Sequence, residues 1–161
     1  MRKLLAFFPL LIILSCNSAK LAHLKSKITT AQGHSVMTYL AITPSEQEQG
    51  LSGIKENDFS EKEGMLFYYP QAGIKHFWMP DTYFNLDLIY LDLNFKVIDI
   101  VRNLAHHKGR ANSELIPRAR GVWSNHVLEM KSSSKIAREI QIGDQLKIEY
   151  SPEAKKVIEN L

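Results

Sequence analysis

Residues 63–92, EGMLFYYPQAGIKHFWMPDTYFNLDLIYLD, limit the fold more than any other stretch. They hold three short apolar runs, each cut by a turn-forming residue before it could build a helix of ordinary length. Met65, Leu66, Phe67, Tyr68 and Tyr69 lie between Gly64 and Pro70. A run of that length, rich in aromatic residues and bounded by turn signals, predicts a buried strand. Phe77, Trp78 and Met79 predict a second, stopped by Pro80, which has no N–H to give to a ladder. Asp81 and Thr82 then fall in a polar turn. Residues 86–91 predict a third strand with Asp87 inside it, and an acidic side chain there needs solvent, a partner or a cleft.

The flanking sequence continues in short pieces. Residues 27–32 and 35–42 read as two strands turning at Gly33. Residues 44–51 read as a short helix with Thr43 as N-cap, Pro44 at the first helical position and Glu46 in the first turn. Gly50 or Gly53 ends it. Residues 86–92 and 96–102 suggest a hairpin around Leu93, Asn94 and Phe95, although Phe95 is poor turn chemistry. Residues 103–120 are too long for an ordinary connection, which marks a functional or mobile loop. A strand resumes over 121–130. Residues 132–134 can cap a short helix with Ile136 and Ile140 on one face, and Leu146, Ile148 and Tyr150 alternate in a last strand. Many short strands, two short helices and no βαβ rhythm predict an α+β domain, mostly β, whose sheet is compact, antiparallel and partly barrel-like.

The N-terminus stands apart from this pattern. Arg2 and Lys3 precede an apolar run, residues 4–14, of about eleven residues, well short of the ~20 that span a bilayer. Ile13, Leu14, Ser15 and Cys16 then resemble a bacterial lipobox, in which the cysteine is lipidated and becomes the first residue of the mature chain. An ordinary cleaved signal peptide with an incidental cysteine is the alternative. The expected organisation is a signal peptide at 1–15, a lipidated tether at 16–26, one globular domain at 27–150 and a C-terminal tail at 151–161. Cys16 is the only cysteine, so no intrachain disulfide can form. Loss of Arg2 and Lys3 lowers the basic count from 20 to 18 against 17 acidic residues, and the net charge from +3 to +1. No arginine-rich patch interleaves with aromatic residues, so nucleic acid is not an expected partner. An export route also argues against cytosolic nucleotide chemistry.

EGMLF, FWM followed by an Asp-Thr pair, and a Leu-Asp-aliphatic run ending in Asp together resemble the Domain of Unknown Function 192 family. Thr43, Pro44, Ser45 and Glu46 leading to Gly50 and Leu51 resemble its N-terminal helix motif. Val127, Leu128 and Glu129, and then Ile142, Gly143 and Asp144, resemble its C-terminal motifs. The resemblance covers residues 27–150 and implies a compact fold without an established chemistry. Members commonly carry a basic residue where Gln49, Ile54 and Pro80 stand here, and a proline where Asn85 stands. The resemblance therefore weakens anion binding in that region of this chain, unless Lys75 or Arg102 compensates.

Asp81, Asp87 and Glu129 are the carboxylates attached to these motifs. Two carboxylates flanking a cleft serve glycoside hydrolysis. Each also has a structural alternative: Asp81 can cap a turn, Asp87 can accept backbone amides, and Glu129 can pair with an arginine. A carboxylate held by amide donors favours its charged form and makes a poor general acid. Trp78 and Met79 could line a groove, although Trp78 reads first as a buried structural residue. The candidate ligand-binding set is thus Trp78, Met79, Asp81, Thr82, Asp87 and Glu129. His76, His106, His107 and His126 lack metal-ligand spacing. No cofactor motif, phosphate loop or Gly-x-Ser-x-Gly elbow is present. These features point to a lipid-anchored envelope protein that binds a small ligand, a glycan or a protein partner without catalysis. The alternative is a carboxylate-dependent hydrolase of envelope polysaccharide. One buried acyl chain holds a protein only weakly and stable attachment takes two, so a lipidated Cys16 with several chains should give lasting attachment. Cys16→Ser should move the protein to the soluble fraction; equal membrane association of the variant would show that Cys16 is not the anchor.

Overall fold

The computed structural model describes residues 24–161. The expected leader and Cys16 lie outside them. The strands are β1 (Lys25–Thr29), β2 (Ser35–Ala41), β3 (Glu63–Phe67), β4 (Gly73–Lys75), β5 (Leu86–Leu91), β6 (Val97–Leu104), β7 (Val122–Ser124), β8 (His126–Lys131) and β9 (Lys147–Tyr150). Seven of them form one sheet in the order β6-β5-β8-β3-β2-β1-β9, and β4 and β7 form a separate ribbon. Only β2 and β3 run parallel; every other pair is antiparallel. A parallel pair needs a crossover, because a tight turn cannot return the chain to the same end. Helix α1 (Pro44–Gln49) and a 3-10 turn at Glu56–Asp58 supply it.

The domain is mostly β with short helices, as the strand pattern implies. The sheet curls without closing. Its edges meet at one bridge, Lys96 with Gln145, helped by the bond from the Val97 amide to the Asp144 carbonyl at 2.9 Å. Helix α1 starts as its sequence dictates. The Thr43 hydroxyl accepts the Glu46 amide, and the Glu46 carboxylate accepts the Thr43 amide, which satisfies donors the first turn would otherwise leave free. Phe95 occupies its turn at φ 62°. The cost of that conformation is offset by its ring, which stacks on His126 at 4.7 Å.

Several elements differ from expectation. Residues 77–79 are not a strand. The ladder lies earlier, at β4, and Trp78 makes a single bridge to Arg118. The backbone there is bonded instead by the long loop, with the Ala119 amide on the Phe77 carbonyl at 2.9 Å and the Met79 amide on the Pro117 carbonyl at 3.1 Å. That loop is therefore strapped down along residues 77–82. The stretch 121–130 splits at Asn125 into β7 and β8, which belong to different sheets. Two residues read as tether, Lys25 and Ser26, pair in β1. The residues read as a tail form helix α3 (Pro152–Ile158), whose Ala154 is fully buried. Among the described residues no helix is long and apolar enough to cross a membrane.

Apolar side chains fill both faces of the large sheet. One face holds Met65, Phe67, Leu88, Tyr90 and Val127; the other holds Leu66, Ile89, Leu91, Leu128 and Met130. Strand alternation assigns each side chain to one of them. Gly64 sits where a Cβ would come within 2.8 Å of Leu128, so a side chain there would push β3 off β8. Helix α2 (Lys135–Glu139) covers the second face. At its C-terminal end the Arg102 guanidinium donates to the Ala137 and Ile140 carbonyls, and also to the Asp87 carboxylate at 2.6 Å. Asp87 also accepts the Asn103 amide at 2.8 Å. Removing one partner of a buried pair costs about 3–5 kcal/mol, and less here because Arg102 is partly solvated. Asp87→Ala should therefore lower the denaturation midpoint markedly, while the equally buried but apolar change Ile89→Val should cost only ~1 kcal/mol. A midpoint shift for Asp87→Ala no larger than for Ile89→Val would contradict this assignment.

Candidate functional site

A cavity of about 270 Å³ opens between the end of α1 and the first sheet face. Residues 47–52 form one wall, Phe67 and Tyr69 continue β3 along another, and residues 76–80 close it with Thr82 and Leu86. Glu129 of β8 lies at its edge on the sheet. Local sequence explains the walls. Gly50 takes φ 48°, and a Cβ on it would come within 3.1 Å of the Phe67 ring, so only glycine lets α1 end this close to β3. The Ser52 hydroxyl donates to the Pro80 carbonyl at 2.7 Å and ties the helix end to the opposite wall. Thr82 donates its hydroxyl to the Met79 carbonyl at 3.0 Å and accepts the His107 amide at 3.1 Å, so it shapes the turn under the cavity.

Glu129 is 4% exposed and makes no hydrogen bond or ion pair among the described residues. Burial without a compensating partner disfavours its charged form and pushes its carboxyl up to about 8. At neutral pH it is mainly the neutral acid, able to donate and to accept. Its surroundings feel its charge when it ionises. Burial, and then that charge, push both Tyr69 and Tyr90 up to about 12. Among the described residues the Tyr90 hydroxyl is also buried without a partner, and no lysine or arginine lines the cavity.

The structure gathers four of the six candidate residues, Trp78, Met79, Thr82 and Glu129, around this cavity. Asp87 is elsewhere. It pairs in register with Met130, one place along from the Leu88–Glu129 pair, so it points to the opposite face of the sheet. Asp81 is also outside the lining. It holds the long loop, accepting the Gly109 amide at 3.2 Å on its carboxylate while its own amide donates to the Gly109 carbonyl at 2.8 Å. Met79 is buried, but Trp78 is not the buried core residue the sequence suggests. It is 38% exposed, with the Arg118 guanidinium 4.9 Å from its ring centre. Nor does Glu129 pair with an arginine. Sequence reasoning did not place Tyr69, His76 or the α1 end at residues 47–52 among the ligand-binding candidates. The signals for the last were Gly50 and Leu51 in the resemblance motif and Gln49 in the region weighed for an anion.

The four histidines do not converge. His126 is sandwiched between Tyr68 at 4.5 Å and Phe95. Its Nδ1 accepts the Tyr69 amide, and burial lowers it to about 4, so it stays neutral. His106 is bonded to Asn85. Among the described residues no three His, Cys, Asp or Glu side chains form a metal-ligand set.

Comparison with known proteins agrees with this architecture. The family model for DUF192, described as an uncharacterized ACR, matches residues 27–148. The chain belongs to the DUF192 family. No functionally curated protein matches it in sequence. Two crystal structures are similar. A candidate transcription regulator from Sinorhizobium meliloti 1021 is 27% identical with a TM-score of 0.61, over 77% of this chain and 92% of that one. A protein of unknown function from Novosphingobium aromaticivorans DSM 12444 is 26% identical with a TM-score of 0.60, over 76% and 83% respectively. In this DUF192 protein the resemblance motif residues Gly50, Leu51, Trp78, Met79 and Glu129 all line the cavity.

The buried acid has a thermodynamic signature. Its folded pKa lies above the ordinary value of 4.5, so the folded state holds a proton that the unfolded state has released between about pH 4.5 and 8. Stability then falls as pH rises through that window, by on the order of a few kcal/mol in total. Glu129→Gln should flatten the fall. Chemical denaturation of both proteins from pH 5 to 8.5 measures it, and parallel pH profiles would place the raised acid elsewhere.

Proposed function

We propose that this protein binds a small uncharged polar ligand in the cavity beside Glu129, and that lipidated Cys16 holds the domain at a bacterial membrane surface. One observation carries the ligand reading: a neutral, unpartnered carboxyl at the edge of an open cavity. A buried carboxyl without a partner is costly, and such groups concentrate at functional sites. Aromatic and apolar walls with a few convergent polar groups suit a small-molecule site. The volume is near the lower end of the usual range, the size of one sugar ring or a comparable compound. The lack of lysine and arginine in the lining argues against an anionic ligand. Gln49 and Pro80, where family members commonly carry a basic residue, both line this cavity, which supports the same conclusion. Trp78 offers a half-open ring face at the rim, suited to stacking on a sugar's apolar side.

A second reading follows from the same carboxyl. An acid raised to about 8 is poised as a general acid. A hydrolase would use Glu129 with Glu48, the other carboxylate in the lining. Asp81 and Asp87 could not serve, since both are engaged away from the cavity.

Titration of the protein with soluble envelope glycan fragments, followed by NMR, separates these readings. The binding reading expects saturable shifts at residues 47–52 and 76–80, lost in Glu129→Leu and largely kept in Glu129→Gln, whose amide can still donate. Trp78→Ala should weaken binding at little cost in melting temperature, unlike the ~3–5 kcal/mol of a buried aromatic truncation. Cleavage products in the mass spectrum that vanish in Glu129→Gln would replace binding by hydrolysis. Shifts confined to other surfaces would sink both.

A further inference from the structure

The β4–β7 ribbon presents an apolar edge that the cavity does not use. Ile74 and Trp123 are a cross-strand pair and therefore point to the same face. They are 59% and 66% exposed, while Val122 and Ser124 on the other side are buried. A tryptophan this open on a two-stranded ribbon is costly to leave in water, and tryptophan prefers the membrane–water boundary. Lys75 pairs with Val122 and turns to the other side of the ribbon, over the Tyr69 ring. The cation on the open side is Arg118, which is exposed, bridges to Trp78 and lies over its ring. It forms no ion pair with an acid among the described residues. An exposed basic residue beside aromatic side chains complements a surface carrying anionic headgroups.

Topology says where that surface is. The Leu40 amide donates to the Leu24 carbonyl, so the chain enters the domain beside the end of β2. Ala41 of β2 is level with Phe67 of β3, and Phe67 is level with Val127 at the start of β8. The ribbon is rooted at this same end. β4 follows Phe67 after a short loop, and β7 joins β8 through Asn125 alone. Eight residues, 17–24, separate Cys16 from β1, and a chain of that length spans at most ~29 Å. An anchor at Cys16 thus holds this end of the sheet, with its ribbon, against the bilayer.

We propose that the β4–β7 ribbon is a membrane-docking element. Ile74 and Trp123 enter the headgroup layer of the bilayer that carries the anchor, and Arg118 faces its anionic lipids. The docked domain is oriented by two points, the Cys16 acyl chains and the ribbon, so it does not tumble on its tether. This rests on the reading of Cys16 as the anchor, and the test separates the two. The chain has two tryptophans, so Trp78→Phe leaves Trp123 as the single emitter. The processed protein is reconstituted into phosphatidylcholine vesicles, with or without phosphatidylglycerol, whose acyl chains are brominated. Trp123 emission should shift to the blue and be quenched roughly twofold or more, as for an interfacial tryptophan. Ile74→Asp in the Trp78→Phe background should abolish most of the quenching. Vesicle-attached protein with unquenched Trp123, or quenching indifferent to Ile74→Asp, overturns docking while attachment through Cys16 stands. If the protein fractionates as soluble, the anchor reading has failed. The soluble protein is then titrated with the same vesicles. Quenching that needs phosphatidylglycerol and is lost in Arg118→Ala upholds the docking face, and its absence overturns it.

Discussion

Every residue of β5 and β8 is buried, because these neighbouring strands lie inside the sheet with apolar side chains packed on both faces. In that setting a polar side chain has no solvent to fall back on. Alternation then fixes which interior each one meets. Asp87 faces the second core and finds Arg102. Lys131 reaches the Glu56 carbonyl at 2.7 Å and lies over the Phe84 ring. Glu129 faces the first core and finds no such partner. The contrast between two acids in adjacent strands is what marks one as structural and the other as available.

Asp87 and Arg102 do more than neutralise each other. The guanidinium also takes two carbonyls at the end of α2, so one charge pair joins β5, β6 and a helix that is too short to hold itself. On the first face the corresponding work is spread over several single hydrogen bonds. The long loop bonds along residues 77–82, Asp81 grips Gly109, and the Ser52 hydroxyl bridges α1 to Pro80. These bonds fix the walls of the cavity without placing a charge in it. Glu129 is consequently left in a rigid, weakly polar surround, which is why its acid stays protonated near neutrality.

His126 shows the same rule with a different outcome. Its ring is packed between Tyr68 and Phe95 at the end where β3, β5 and β8 meet the ribbon. It remains neutral because burial disfavours its charged form; its Nδ1 accepts a backbone amide, and its Nε2 is buried without a partner among the described residues. This stack, with the Asp92 carboxylate accepting the Asn94 and Lys96 amides, holds Phe95 in its left-handed turn. A residue that looks wrong for its turn is thus explained by a contact thirty-one positions away in the chain, between Phe95 and His126.

Much of the fold was legible in the sequence, because strand length, capping and turn chemistry are local. Gly64 and Pro70 bound the β3 run, Thr43 and Glu46 start α1, and the many short strands with short helices give the class; the β2–α1–β3 crossover to a parallel pair was not foreseen. Motif order alone led to the DUF192 family. The failures were equally physical. Phe77, Trp78 and Met79 carry β-favouring side chains, but their backbone bonds go to a loop some forty residues later, and no local pattern reports that. Trp78 has the side chain of a core residue, and only its place at a rim exposes it. The candidate site was legible as a list and illegible as a place. Asp87 and Glu129 sit in similar apolar runs, and which face each one meets depends on the β5–β8 register. Pairing between distant strands sets that register, so only the tertiary structure could separate the two.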